Sequence, residues 1–346
     1  MKGGNNMKKL KSLLSPFGLW FCARGKALFT ILALSFFINA LGTLNATQAQ
    51  PKSFTITSGP MGGDWYSIGG AMGEIAKKIF PGAVVTVTTG GAVANLAMVN
   101  TGKADVGLSM AKLYGEALTG KGEYEGKRMP NLRAISFLAN IPMSFFLVKA
   151  DNPIQSIEEI KSKKIRILTA PKGSSPSLAA ELMLKEYGIT FDDIKKGGGH
   201  VSFVSYAEAS NLIKDGHADA FIGPMVSAIM ELTTTVKMKL LPIKESVLDK
   251  LKSDHNYVKI ILPKDRYYFV GQETPHMAEV VIVIVQKELS NDVVYNFAKE
   301  LLENPDRIRK IHKTYSEFDP QTAWQNLGGP LHPGAEKIYR EKGYLK

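Results

Sequence analysis

One arrangement recurs three times along this chain and restricts its fold more than any other feature: a short β-branched run, a turn rich in Gly and Ser, then apolar residues at helical spacing. In the first unit Phe54-Thr55-Ile56-Thr57 alternates as a strand and Ser58-Gly59-Pro60-Met61-Gly62-Gly63 turns. Ile68, Met72, Ile75 and Ile79 then recur along a helix that Pro81 and Gly82 stop. The second unit is the run 84–88, the turn Thr89-Gly90-Gly91 and a helix through Leu96 and Val99 that ends at Gly102. The third is the run 165–168, the turn Thr169-Ala170-Pro171-Lys172-Gly173-Ser174 and a helix with Leu178 and Leu182 on its buried face, which Ser175 is expected to cap with Pro176 in the first turn. Strands alternating with helices in this way predict α/β domains with largely parallel sheets.

Length turns that pattern into two lobes. A chain of 346 residues with 45% apolar and 22% charged residues has an ordinary globular composition, and single cores stop growing near ~250 to 300 residues. Two similar passages reinforce the division. Gly102-Lys103-Ala104-Asp105-Val106-Gly107-Leu108 and Gly216-His217-Ala218-Asp219-Ala220-Phe221-Ile222 each follow a helix and lead into a buried run, as though one α/β design were used twice. The Gly suits a left-handed helix end, so both passages read as scaffold. The apolar stretch 143–148 is the expected crossing between lobes, with a return somewhere in 259–285. The lobes are then 50–145 with 265–346, and 146–264. Residues 280–285 read as a short buried strand. Ser156-Ile157-Glu158-Glu159 and Ser205-Tyr206-Ala207-Glu208 fit capping boxes.

The N-terminus reads as an export signal: six basic and no acidic residues in 1–49, an apolar run over 27–44, and Thr47-Gln48-Ala49 at its end. Cleavage after Ala49 and retention as a membrane anchor both put the remainder outside the cytoplasm. Of the formal +11, six charges belong to this segment, leaving +5 on the rest, a mildly basic surface without any nucleic-acid-reading motif. The single cysteine, Cys22, also lies in the segment, so the rest of the chain has no disulfide, thiolate metal site or cysteine nucleophile.

Several chemistries are disfavoured. No Gly-Lys-Ser/Thr closes any of the glycine turns, and Gly59, Gly62 and Gly63 have the wrong spacing for a dinucleotide fingerprint, so no nucleotide cofactor is expected. The histidines 200, 217, 255, 276, 312 and 332 show no ligand-pair spacing and read as surface or capping residues, so no metal is expected. Gly173-Ser174-Ser175-Pro176 lacks the second glycine of a nucleophile elbow. What the three turns do offer is backbone N–H groups at helix N-termini, on the carboxyl edges of sheets where α/β folds bind ligands. Each such anion site is worth ~0.3 to 1 kcal/mol, up to ~2 when partly buried. Any one of the turns could equally be only a tight turn.

Six passages in order, Gly59-x-x-Gly62-Gly63-x-Trp65-Tyr66, Thr89-Gly90-Gly91 with Asn95 and Leu96, Gly102-x-Ala104-Asp105-x-Gly107, Pro171-x-Gly173-Ser174, Gly216-x-Ala218-Asp219-Ala220-Phe221 and residues 330–335 (Pro-Leu-His-Pro-Gly-Ala), resemble the TAXI-type solute-binding proteins of tripartite ATP-independent periplasmic (TRAP) transporters. The resemblance implies a type II periplasmic binding fold, two α/β lobes joined by a hinge around a ligand cleft. It also implies a periplasmic, monomeric receptor, not an enzyme, that closes on a small anionic organic ligand and delivers it to integral-membrane permease subunits. A secreted enzyme on a related fold and a ligand-sensing or adhesive surface protein stand as alternatives. Carried over position by position, the ligand-binding candidates are Gly62, Gly63, Trp65, Tyr66, Thr89, Gly91, Asn95, Met110, Ser174 and Ser175, and no residue is catalytic. Tyr66 and Asn95 also fit as core and cap residues, and Lys112 either charges the rim or stands solvated. Pro60, Met61 and Met110 stand where commoner members are polar, which implies an acid with more hydrocarbon than glutamate.

Overall fold

The computed structural model describes residues 51–61 and 63–346, so the export-signal reading of 1–49 and the candidate Gly62 lie outside the described residues. Residues 51–346 form one compact unit. In chain order the first half holds β1 (Ser53–Thr57), α1 (Asp64–Ile79), β2 (Val84–Thr88), α2 (Ala92–Asn100), β3 (Val106–Met110), α3 (Ala111–Thr119) and β4 (Leu132–Pro142). It continues through β5 (Phe145–Lys149), β6 (Arg166–Thr169), α4 (Ser175–Glu186), α5 (Phe191–Lys196), β7 (His200–Phe203), α6 (Tyr206–Lys214), β8 (Ala220–Gly223), α7 (Ser227–Thr235) and β9 (Met238–Leu241). The last part is α8 (Glu245–His255), β10 (Val258–Leu262), β11 (Thr274–Gln286), α9 (Asn291–Glu303), α10 (Asp306–Arg309) and α11 (Pro333–Glu341).

These elements build two α/β lobes, as the alternation of strands and helices predicts, but around mixed sheets where largely parallel ones were expected: β4, β10 and β11 in one and β5 and β9 in the other pair only antiparallel with their sheet neighbours, because they enter from outside the strand–turn–helix units. One sheet runs β10-β11-β3-β1-β2 with β4 on β11, and the other runs β7-β6-β8-β5-β9. Their plans match. In each, the first strand lies between two parallel neighbours (β2 and β3 around β1, β7 and β8 around β6), and the third strand is then flanked by an antiparallel strand from another part of the chain, β11 or β5.

The doubled Gly-x-Ala-Asp passages explain how each plan is held. Gly102 and Gly216 adopt φ of 71° and 76°, the left-handed turn that ends the preceding helix. Asp105 then accepts the Thr55 N–H at 2.7 Å and Asp219 the Arg166 N–H at 2.9 Å, so each carboxylate ties the start of its lobe's third strand to the start of its first. Asp219 also pairs with the Arg166 guanidinium at 2.6 Å, which holds its carboxyl below the usual range.

The two sheets exchange strands at residues 142–145, where β4 of one ends and β5 of the other begins, with Ser144 at φ 57°. A second exchange follows β9: β10 joins β11, residues around Leu262 and Val270 pack on the core of the second lobe, and β11 runs back through the first sheet. The strand read as 280–285 is thirteen residues long because β11 serves two neighbours along one edge, β10 opposite 274–278 and β3 opposite 281–285, while β4 holds the other edge.

His276 corrects the reading of the histidines as surface or capping groups. It sits on β11 beside this crossing, fully buried, with its ring 4.5 Å from that of Phe145 and no hydrogen-bond partner for either ring nitrogen among the described residues. Burial pushes its pKa down to about 4, and the nearby Met143 backbone offsets this only in part. The sign follows from linkage. The unfolded chain takes up a proton near pH 6.5 and the folded chain does so only near pH 4, so stability is lost as pH falls below 6.5. His276→Leu should therefore gain about 2 kcal/mol on wild type between pH 7 and pH 5. Urea unfolding at the two pH values measures this, and an identical acid response in both proteins would refute it.

The capping expectations are met in part. Ser205 accepts the Glu208 N–H at 3.2 Å and caps α6. Ser156 precedes a 3-10 turn, Glu158–Ser162, whose N-cap is Ile157, so the expected box does not form there. A complete capping box stands at Thr190 and Asp193 of α5 instead. Among the described residues no helix is long and apolar enough to cross a membrane, and no three His, Cys, Asp or Glu side chains group as metal ligands.

Candidate functional site

In the first lobe the carboxyl ends of β1, β2 and β3 are drawn together by one side chain. Asn95, fully buried on α2, donates from Nδ2 to the Ser58 carbonyl after β1 and to the Leu108 carbonyl in β3, both at 2.7 Å. Its Oδ1 accepts from Thr57 Oγ1 at 2.7 Å and from the Gly91 N–H at 3.1 Å. An asparagine has two amide donors and two acceptor positions, and all four are spent. Asn95 thus sets the shape of the turns and keeps no hydrogen bond for a ligand. Gly90 is glycine for the same reason, because a Cβ there would stand 2.0 Å from Asn95 Oδ1.

The turn residues differ in what they expose. Gly91 is the N-cap of α2, which leaves the first amides of that helix, on Ala92, Val93 and Ala94, without intrahelical partners. Thr89 beside it is exposed. Gly63 is the N-cap of α1. Trp65 is half-buried against the core of the first lobe, while Tyr66 and Met61 are exposed, 37% and 76%. The helices are not equivalent anion sites. α1 carries Asp64 in its first turn, which offsets its positive end, whereas α2 and α4 carry no acid there.

Met110, read from the sequence as a candidate at a pocket edge, is buried in the core of the first lobe at the end of β3. Lys112 is not solvated. Its ammonium pairs with Glu116 at 2.6 Å and lies 5.8 Å from the Tyr257 ring centre, with the side chains of Lys112 and Glu116 only 10% and 19% exposed.

In the second lobe the cap is Ser174, not Ser175, and its side chain makes no capping bond. Ser175 is the first helical residue, and it points across to the other sheet: its Oγ donates to Glu279 Oε2 at 2.5 Å. Glu279 lies on β11 at the gap between the pairing with β10, which ends at Ala278, and that with β3, which begins at Val281. Tyr257 precedes β10 and Lys112 follows β3, so both reach the same gap and bear on the Glu279 carboxylate. Burial raises the Glu279 pKa to about 7, against the lowering effects of Ser175, Lys112 and Tyr257.

A family model described as the NMT1-like family matches residues 56–343, nearly all of the described chain. The chain belongs to the NMT1-like family. Solved structures to which this NMT1-like chain is similar include XAC2383 from Xanthomonas citri bound to ATP, with 10% identity, coverage of 85% of this chain and 100% of that one, and a TM-score of 0.48. A TctC solute binding protein from Polaromonas shares 20% identity over 86% and 97% of the two chains at a TM-score of 0.45. The periplasmic aliphatic sulphonate binding protein SsuA from Escherichia coli shares 13% over 86% and 84% at 0.44.

Within this NMT1-like protein the start of α4 in one lobe thus meets β11 of the other at the Ser175–Glu279 contact, and Glu279 is the residue that sequence reasoning missed. A recess of about 250 Å³ lies elsewhere, between β4 and the 314–326 segment, lined by Phe137, Asn140, Glu317 and Gln325 among others. It holds none of the sequence-derived candidates. The junction brings the buried Ser175–Glu279 contact together with Lys112, Tyr257 and the first turn of α4, and so is the better candidate site.

Proposed function

We propose that this NMT1-like protein is an extracytoplasmic, monomeric solute receptor of the TAXI type. It takes up a small organic acid between a lobe of residues 50–145 with 265–346 and a lobe of residues 146–264. It closes by rotation about the two strand exchanges and hands the acid unchanged to the integral-membrane subunits of a TRAP-type transporter. The export-like segment 1–49 supports a periplasmic site of action.

The observation that carries this reading is that α4 of one lobe starts against β11 of the other, through Ser175 and Glu279, and that Glu279 lies just past the carboxyl end of β3, a strand that Asn95 ties to the turn after β1, since Met110 pairs with Val281. The N-termini of α2 and α4, free of acidic residues, are the groups that would hold a carboxylate through main-chain amides. The exposed Met61 and Tyr66 would give the rim its preference for hydrocarbon over a second charge. Micromolar affinity, about −8 kcal/mol, suits such a set of contacts together with closure.

A thermal-shift screen against organic acids tests this. A bound acid at about a hundred times its Kd stabilises by about 2.7 kcal/mol, and branched or aromatic carboxylates should outperform glutamate. Ser174→Trp should abolish the shift. Because Ser174 is partly exposed and its side chain forms no cap, stability should move by less than about 0.5 kcal/mol. An unchanged shift in that variant would remove this turn from the site, and recovery of a chemically altered acid would favour an enzyme.

A further inference from the structure

We propose that Ser175 and Glu279 form a latch between the lobes, one that opens when the Glu279 carboxyl gives up its proton. The inference rests on the two-lobed, hinged reading above, but it concerns closure of the protein by itself, without a ligand.

Ser175 opens α4, whose Ala179, Ala180, Met183 and Leu184 are packed into the core of the second lobe, and Glu279 belongs to the sheet of the first. Their 2.5 Å hydrogen bond therefore joins the lobes directly. Lengthening it by about 1 Å removes it. Glu279 is 3% exposed and Ser175 6%, so both are desolvated as long as the contact is made.

The groups that face the carboxyl decide how it responds to protons. Lys112 of α3 is the positive charge that favours its ionisation, but that ammonium is engaged by Glu116, which itself opposes ionisation of Glu279. Ser175 and the Tyr257 phenol favour the carboxylate, and burial outweighs them. The Tyr257 phenol is itself held well above its usual pKa by burial and by Glu279, Glu116 and Glu123, so it stays protonated. No group in this set releases a full positive charge to Glu279.

Ionised, the carboxyl is better solvated with the lobes apart; neutral, it is accommodated with them together. Its pKa is about 7 in the closed form, and hydration on opening returns it toward the ordinary 4.5. The closed form thus binds the proton more tightly, and raising the pH favours opening. With those two limits, a change from pH 5 to pH 8 shifts the open-to-closed ratio by ~70-fold.

Small-angle X-ray scattering of the purified, ligand-free protein across pH 5 to 8 tests the latch. Wild type should be compact at pH 5 and show a larger radius of gyration at pH 8. Glu279→Gln, which cannot ionise, should lose that dependence. A wild-type radius that does not change with pH, or an equal pH response in the variant, overturns the proposal. Should Glu279→Gln fail to fold, Ser175→Ala decides: it should be more open than wild type at pH 5, and an equally compact variant there overturns the latch. The two readings fail separately. A pH-dependent radius with no acid bound in the thermal-shift screen leaves the latch and removes the receptor, and the reverse pair of results does the opposite.

Discussion

Replacing Asn95 by alanine should cost about 5 kcal/mol of stability. The substitution strands the Ser58 and Leu108 carbonyls and the Gly91 N–H, which Asn95 now satisfies from a fully buried position, and leaves the Thr57 hydroxyl only the weak Met98 Sδ acceptor at 3.6 Å. Each orphaned buried group costs ~1 to 3 kcal/mol, so the total is a large share of the ~5 to 15 kcal/mol that a typical domain has. Asn95→Asp should be nearly as severe, because it keeps the acceptor and sets a carboxylate against two carbonyl oxygens. Urea unfolding measures both variants. A loss below about 2 kcal/mol in Asn95→Ala would mean that water takes over the bracket and that the three strand ends hold their positions without it. The same variant should bind no ligand even where it folds, since the start of α2 and the turn after β1 lose their common tie.

What the sequence revealed and what it hid divide along one physical line. The three strand, turn and helix units and the doubled Gly-x-Ala-Asp passages were legible because their signals are local: periodicity, β-branching, a glycine that turns left-handed. The crossing was read at 143–148 from an apolar stretch between the second unit and the third, and the chain changes sheets at 142–145. Glu279 was not visible. It precedes the Val/Ile run 280–285 and reads as the polar boundary of a short strand, whereas β11 begins five residues earlier and carries the carboxyl into the interior. What makes burial tolerable there is Ser175, 104 residues away, and no window along the chain contains both. His276 was hidden likewise, since its burial comes from Phe145 of the other sheet. Ser174 and Ser175 were legible as the start of a helix, but not which of them caps it, because the hydroxyl of Ser175 goes to a tertiary partner.

The late passage 330–335, quoted above for the TAXI resemblance, has a packing role in this structure, and that role supports a second large effect. His332 caps α11 by accepting the Gly334 N–H at Nδ1, 3.1 Å, so Nε2 carries the proton and reaches the Leu289 carbonyl at 3.0 Å. Gly334 then lies directly on the start of α9: a Cβ would stand 2.2 Å from the Asn291 carbonyl oxygen and 2.9 Å from the Tyr295 nitrogen. Both are backbone atoms, so neither can swing aside. Gly334→Ala must push α11 away and disturb the burial of Ala335, Ile338 and Tyr339 and the Tyr339 hydrogen bond to the Ile135 carbonyl of β4. The expected loss is about 3 kcal/mol or more. Gly82→Ala provides the contrast, since its φ of 86° is strained for alanine but a Cβ there meets nothing within 4 Å, which predicts about 1 kcal/mol. Urea unfolding of the two variants separates contact from backbone strain. Equal losses would mean that α9 and α11 are not pressed together at Gly334, and the packing account of this motif would fail.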